Sequence, residues 1–281
     1  MAGLELRLQT LRRAVQAIRS TPGRRGRLVT IDADDVLVAG DLHGHVENFR
    51  QLLLRADLAK NPRRHLVVQE LIHGPFRYPA GGDKSHQLVD VVCALKCQYP
   101  ARFHYLIGNH ELAQATGTQV LKHEADLNEQ FVLGVRMAYG ERADEVYGLY
   151  LELFAEIPFA VRTPGRTFLS HSLPSMGRME QFDPAALERE PTVEADIAPG
   201  GSLYALVWGR DTREETVAAF LRKVDADVLV SGHIPCESGF ELPSPRHVIL
   251  DCLGSPAAYA LLPAPTPVTP EDLPACVHLL G

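Results

Sequence analysis

The sequence predicts an α/β fold built on parallel strands, and two observations carry that reading. Short apolar runs at Val36-Leu37-Val38-Ala39, His65-Leu66-Val67-Val68 and Phe103-His104-Tyr105-Leu106-Ile107 alternate with helical patterns. Such a β-α-β-α-β succession calls for right-handed crossovers between parallel strands. Most of these runs also stop in a polar cluster, and open α/β folds place their active sites at the carboxyl ends of strands.

Taken in order, Leu4, Leu8, Leu11, Val15 and Ile18 recur every three or four residues and predict an amphipathic helix. It stops at Thr21-Pro22-Gly23, and one apolar stripe suits a helix packed on the flank of a domain. Val46, Phe49, Leu52 and Leu53 mark a second helix, and Pro62 breaks the chain before the next strand. Residues 73–83 are rich in Gly and Pro and read as a loop, followed by a helix through Leu88, Val91, Val92 and Leu95. The stretch from about 122 to 156 is mostly helical and richer in charge, an insertion beside the site. Short strands follow at Phe159–Val161 and Thr167–Ser170, then a helix near Thr216–Val224 and a strand at Asp227–Val230. Val248–Leu250 and Ala258–Leu262 close the fold, since the Pro-rich tail beyond Pro263 cannot continue a sheet interior. The division expected is an N-terminal helix and linker over 1–25 and one domain over 26–281, with the insertion inside it.

A hydrophobic content of 46% with 22% charged residues is that of a soluble globular chain. The net charge of −7 gives no reason to expect a nucleic-acid backbone as partner. Arg24, Arg25 and Arg27 cluster, and a solvated loop explains them most cheaply. The five cysteines form no CxxC pair and read as buried free thiols in a reducing compartment. No run of eighteen apolar residues offers a membrane span, and the charged N-terminus lacks the apolar core of a signal peptide. A cytoplasmic location is expected.

The motifs centre on Gly40-Asp41-Leu42-His43-Gly44, where a strand delivers a carboxylate and an imidazole into one tight turn. Further clusters follow at Gln69-Glu70-Leu71-Ile72-His73, Gly108-Asn109-His110-Glu111, Ser170-His171-Ser172 and Ser231-Gly232-His233-Ile234-Pro235. These donors are nitrogens and hard oxygens with no thiolate, a set that suits Mn²⁺, Fe or Zn²⁺. Two such ions about 3.5–4 Å apart can clamp a phosphate and acidify a water between them.

In their order, Gly40-Asp41-x-His43-Gly44, Gly108-Asn109-His110-Glu111, His171 and Gly232-His233 resemble the metal motifs of the calcineurin-like metallophosphoesterases. The nearest branch is that of the serine/threonine phosphoprotein phosphatases and their bacterial relatives. Tyr99-Pro100-x-Arg102, Leu206-Val207-Trp208-Gly209-Arg210 and Gly232-His233-Ile234-Pro235 add to the match, which covers roughly residues 36–262. The resemblance implies a β-sandwich flanked by helices and two divalent metal ions. Asp41 and His43 would hold the first ion, and Asn109, His171 and His233 the second. His110 would be the general acid and Arg210 a bidentate clamp on phosphate oxygens.

The second motif departs from the family's Gly-Asp-x-x-Asp-Arg-Gly. Glu70 stands where the bridging aspartate belongs, and His73 where the aspartate partner of the catalytic histidine belongs. The motif's arginine has no counterpart, although Arg77 lies a few residues on, and Asp83 is a substitute carboxylate if its loop folds inward. Glu70 is read as the working bridge, with His73 as an accessory ligand or orienting group.

Other polar residues take plainer roles. His65, His86, His104, His123 and His247 have no motif around them and suit surface or satisfied core positions. His45 begins a helix, Asp32, Asp34 and Asp35 suit a solvated turn, and Asp251 either faces the site or caps a turn. Glu111 is expected to orient its neighbours by hydrogen bonds. The function expected is hydrolysis of phosphate monoesters, phosphoproteins among them, by a metal-bound hydroxide. A diesterase or dinucleoside polyphosphate hydrolase on the same metals is one rival. A degenerate protein that binds a phospho-ligand without turnover is the other.

Overall fold

A computed structural model describes residues 2–122 and 125–281; His123 lies outside the described residues. Helix α1 (Ala2–Arg19) buries Leu8, Leu11, Val15 and Ile18 in the main core, as its stripe predicts. Two short antiparallel strands follow, β1 (Arg24–Arg25) and β2 (Leu28–Thr30).

The solvated loop expected at the arginine cluster is corrected here. Arg27 is buried and donates to Glu156 Oε2 at 2.9 Å and to Glu190 Oε2 at 3.3 Å. Arg24 donates to the carbonyls of Ile18 at 3.0 Å and Gly26 at 2.9 Å. A guanidinium tolerates such burial only when its N–H groups find acceptors. The acceptor that matters, Glu156, lies 129 residues from Arg27, so no local pattern announces it.

Next come β3 (Asp35–Asp41), α2 (Val46–Ala56), β4 (Arg64–Gln69), α3 (His86–Gln98) and β5 (Phe103–Leu106). β3, β4 and β5 pair in parallel, the succession read from the sequence. After β5 come α4 (Asn109–Thr116) and a hairpin of β6 (Leu121–Lys122) and β7 (Ala125–Asp126), and the stretch expected as a helical insertion, about 122 to 156, holds α5 (Leu127–Tyr139) and α6 (Ala143–Glu156). Then follow β8 (Ala160–Arg162), β9 (Thr167–Ser170), α7 (Met176–Met179), α8 (Ser202–Trp208) and α9 (Glu214–Lys223). The chain closes with β10 (Val228–Ser231), β11 (Phe240–Ser244), β12 (His247–Leu250), β13 (Ala258–Pro263) and β14 (Val277–Leu279).

One sheet has the order β14-β13-β3-β4-β5 and the other β1-β2-β8-β9-β10-β12-β11. They face each other across Val36, Val38, Val67, Val161, Val230 and Val248, a β-sandwich. Alternate residues of β3 serve two layers: Val36 and Val38 point into the sandwich, while Leu37 and Ala39 join the core under the helices. Both faces of β3 are covered, which is why it reads as a continuous apolar run.

β2, β11 and β14 escaped the sequence pattern. They are short, and β11 carries Pro243, which an edge strand tolerates because one side needs no ladder donor. The Pro-rich tail thus stays out of the sheet interior and supplies only an edge.

Candidate metal and phosphate site

The parallel strands aim their carboxyl ends at one place. Asp41 ends β3, Glu70 follows β4, and Asn109 and His110 open α4 just beyond β5. The other sheet sends His171 from the end of β9 and His233 from beyond β10. The first two motifs are tied together, because Glu70 O accepts from Leu42 N at 3.0 Å and from His43 N at 2.8 Å. His43, Glu70, His73 and His233 all hold positive φ, at 42°, 46°, 61° and 71°. Such backbone costs about 1–3 kcal/mol per residue and gathers at functional sites.

Burial and hydrogen-bond polarity define what the cluster can hold. Gln69 Nε2 donates to Ala39 O at 3.0 Å, so its Oε1 faces His171 Nδ1, 3.0 Å away, as an acceptor. His171 therefore carries its hydrogen on Nδ1 and leaves Nε2 bare. That bare nitrogen lies 3.0 Å from Asn109 Oδ1 and 3.0 Å from Glu70 Oε2. Asp41 Oδ1 and Glu70 Oε2 are buried and have no hydrogen-bond partner among the described residues. His43 contacts Ile72 O through Nδ1 at 2.9 Å, which likewise frees its Nε2. Acceptors that converge without a hydrogen among them repel one another unless a cation lies between them.

The titrating groups tell the same story. Burial, with Asp251 next, pushes the Asp41 carboxyl well above its usual range. Burial, Glu111 and Asp41 do the same to Glu70. Burial holds His43, His110 and His171 below the usual imidazole value. Burial and then Arg210 take His233 down to about 3. Neutral imidazoles are ready to bind a divalent cation, and such a cation would take the place of the protons that burial favours on the two carboxyls.

Two glycines make room for the carboxylates. A Cβ on Gly108 would stand 1.5 Å from Glu70 Oε2, and one on Gly232 would stand 2.1 Å from Asp41 Oδ1. Glu111 is fully buried and locks the adjoining turns. It accepts from Leu71 N at 2.8 Å, Ile72 N at 3.2 Å, Gly108 N at 3.0 Å and the Tyr105 hydroxyl at 2.7 Å.

Asp41, His43, Glu70, His73, Asn109, His110, Arg210 and His233 line one cavity of about 560 Å³, with His171 fully buried beside Glu70 and Asn109. Arg210 Nε donates to His233 Nε2 at 3.1 Å, so this arginine and a cation compete for the same lone pair. Asp83 stays outside, its carboxylate accepting from Ser85 N at 2.8 Å and Ser85 Oγ at 2.7 Å. Arg77 reaches the cavity wall and lies 3.6 Å from that carboxylate. At Gly74, where the second motif's arginine would fall, a Cβ would meet His43 O at 1.8 Å. Asp251 lines the cavity and also accepts from Cys236 N at 3.0 Å and Leu253 N at 2.8 Å. His45 accepts from Asn48 N at 3.1 Å and so caps α2.

Sequence reasoning missed Gln69, Gln114 and Lys122. Gln69 orients His171, Gln114 contacts His73, and Lys122 brings a cation to the rim from the hairpin. Only Gln69 had a local signal, its place before Glu70.

The two-sheet sandwich brings nitrogen and oxygen donors together at the strand ends, the arrangement of a metal-binding site. The profile of the Calcineurin-like phosphoesterase family matches residues 35–237, and the chain belongs to that family. A serine/threonine-protein phosphatase from Caenorhabditis elegans is 23% identical over 226 residues, 76% of this chain. The match spans 46% of that relative's length, so the chain covers about half of it. A protein serine/threonine phosphatase from Saccharomyces cerevisiae with similarity to human phosphatase PP5 superposes with a TM-score of 0.63 at 13% identity. That superposition covers 92% of this chain and 82% of the other. The cold-active protein-tyrosine phosphatase of a psychrophilic Shewanella shares the fold, with a TM-score of 0.58 at 12% identity over 86% of this chain and 78% of that one.

Proposed function

We propose that the chain hydrolyses phosphate monoesters, with two divalent cations held by this site. The observation that carries the reading is the convergence of bare acceptors, Asp41 Oδ1, Glu70 Oε2 and His171 Nε2, in a cavity that Arg210 also lines. Asp41 and His43 would hold the first ion, Asn109, His171 and His233 the second, and Glu70 would serve both. The ions, Mn²⁺, Fe or Zn²⁺, would polarise the phosphate oxygens and acidify water. Arg210 binds phosphate oxygens when it turns from His233, and His110 gives a proton from Nε2 to the leaving oxygen. His73 takes the place of a carboxylate beside His110. Phosphoproteins are the first substrates to assay, because serine/threonine and tyrosine phosphatases appear among the relatives. Five free thiols agree with a reducing, cytoplasmic setting.

One observation favours a second role for His110. Its ring, His43 and Glu70 offer donor atoms that all lie within 4.8 Å of one another, close enough to share an ion. The two roles separate cleanly. Purified protein with added Mn²⁺ should hydrolyse an aryl phosphate, and Asp41→Asn should nearly abolish this. His110→Asn should lower turnover by about 10²–10⁴-fold while metal content stays at the wild-type level. Metal lost with that substitution assigns His110 as a ligand, and full activity in excess chelator after long dialysis rejects the metal-dependent reading. Bis-aryl phosphates and dinucleoside polyphosphates in the same panel test the diesterase alternative. Phospho-ligand binding without turnover of any of them would point to the degenerate one.

A further inference from the structure

His73 Nδ1 lies 2.7 Å from His110 Nδ1, and the direction of this hydrogen bond is decided further from the site. Of two facing imidazole nitrogens, one donates and the other accepts. On the far side of the ring, His73 Nε2 is 2.8 Å from Gln114 Oε1. The amide of Gln114 is held in turn, its Nε2 donating to the Tyr147 hydroxyl at 2.8 Å. His73 and Gln114 are both buried, at 6% and 3% exposure, so water does not compete for these contacts.

With the amide oxygen toward His73, the ring carries its hydrogen on Nε2 and Nδ1 is an acceptor. His110 then donates from Nδ1, and its Nε2 faces Glu70 Oε1 at 3.4 Å on the cavity side. The opposite amide orientation would make His73 Nδ1 a donor. A proton-loaded His110 carries hydrogens on both nitrogens and would then clash with it, hydrogen against hydrogen. Only the observed orientation lets His110 carry hydrogens on both ring nitrogens, as a cationic proton donor must, and keep its bond to His73.

We propose that Gln114, whose amide oxygen faces His73 and whose Nε2 meets the Tyr147 hydroxyl, is a positioning residue that makes His73 a hydrogen-bond acceptor toward His110. This uncharged relay from α6 through α4 does the orienting that a carboxylate beside the proton-donating histidine would otherwise do. In the step it serves, the bond from phosphorus to the leaving oxygen breaks. The Nε2–H proton of His110 passes to that oxygen, and Nε2 is reprotonated from water. The inference rests on the reading of His110 as proton donor, but its geometric half can be measured without turnover.

The test joins imidazole ¹⁵N NMR of Zn²⁺-loaded protein with steady-state kinetics. The spectrum should show His73 with its hydrogen on Nε2 and His110 with a hydrogen on Nδ1. Gln114→Met should abolish that assignment and lower kcat by about 10- to 100-fold for an alkyl phosphate, a part of what acid catalysis supplies. The loss should be smaller for 4-nitrophenyl phosphate, whose leaving group needs no proton, and KM should stay within about two-fold. Gln114→Glu keeps an acceptor in place and should restore both the tautomer and kcat. Tyr147→Phe, which frees the amide without emptying the core, should fall between. A His73 that carries its hydrogen on Nδ1, tautomers unmoved by Gln114→Met, or an equal loss for both leaving groups would each overturn the relay. Correct tautomers in a protein that hydrolyses no phosphoester would leave the relay's geometry standing and reject the phosphatase reading instead.

Discussion

Glu70 shows how one extra methylene is absorbed. Its side chain reaches over Gly108, where a Cβ would lie 1.5 Å from Oε2, and it accepts from His110 N at 3.3 Å. Gly108→Ala should therefore push the carboxylate aside, leave the purified protein with substoichiometric metal after dialysis, and cost at least about 10²-fold in activity. Metal content by elemental analysis checks this, and wild-type retention would mean that Glu70 is not the bridge. The converse change, Glu70→Asp with His73→Asp, should tighten metal retention. Most of the donor set was legible because Asp41, His43, Asn109, His110, His171 and His233 stand in spaced local motifs. Gln114 was not, because its role exists only where α4 meets His73 and Tyr147. Arg24 and Arg27 were misread for the same reason, their partner Glu156 being distant in sequence.

At the scale of elements, the loop before α3 is held by α5. Asp83 N donates to Gln130 O at 2.8 Å, and Asp83 O packs where a Cβ on Gly134 would stand at 1.8 Å. Gly134→Ala should destabilise the protein by about 1–3 kcal/mol in urea unfolding, as overpacking does. It should also raise KM more than it lowers kcat, because the displaced loop carries Pro75 and Arg77 on the cavity wall. Helix and core-strand positions were readable from periodicity, and the parallel order followed from their alternation. The docking of α5 on this loop was not, since glycines in contact leave no pattern. Nor was the partition of strands between two sheets, which depends on pairings such as β2 with β8.

Across the whole molecule, buried histidines set an acid limit. Burial takes His86 down to about 4 and His247 to about 3, so both stay neutral in the folded protein at neutral pH. In the unfolded chain they bind a proton near pH 6.5. Their contribution is thus fully present above about pH 6.5 and is lost as the pH falls toward 4 and 3. Each should account for roughly 2 kcal/mol between pH 7 and pH 5, seen as a falling urea midpoint. His247→Gln should flatten part of that slope.

The place of β13 beside β3 bears on how the protein is made. Tyr259 to Pro263 pair antiparallel with Asp35 to Ala39, so the strand that ends in Asp41 gains one of its two neighbours only from a segment more than two hundred residues later. During synthesis, Asp41 waits on an open sheet edge until the ribosome has released that segment. Every proposed ligand, the last being His233, is translated before its own scaffold is closed. A chain stopped after residue 256 would hold all of them and should nevertheless fail to retain metal, with a bare β3 edge open to aggregation.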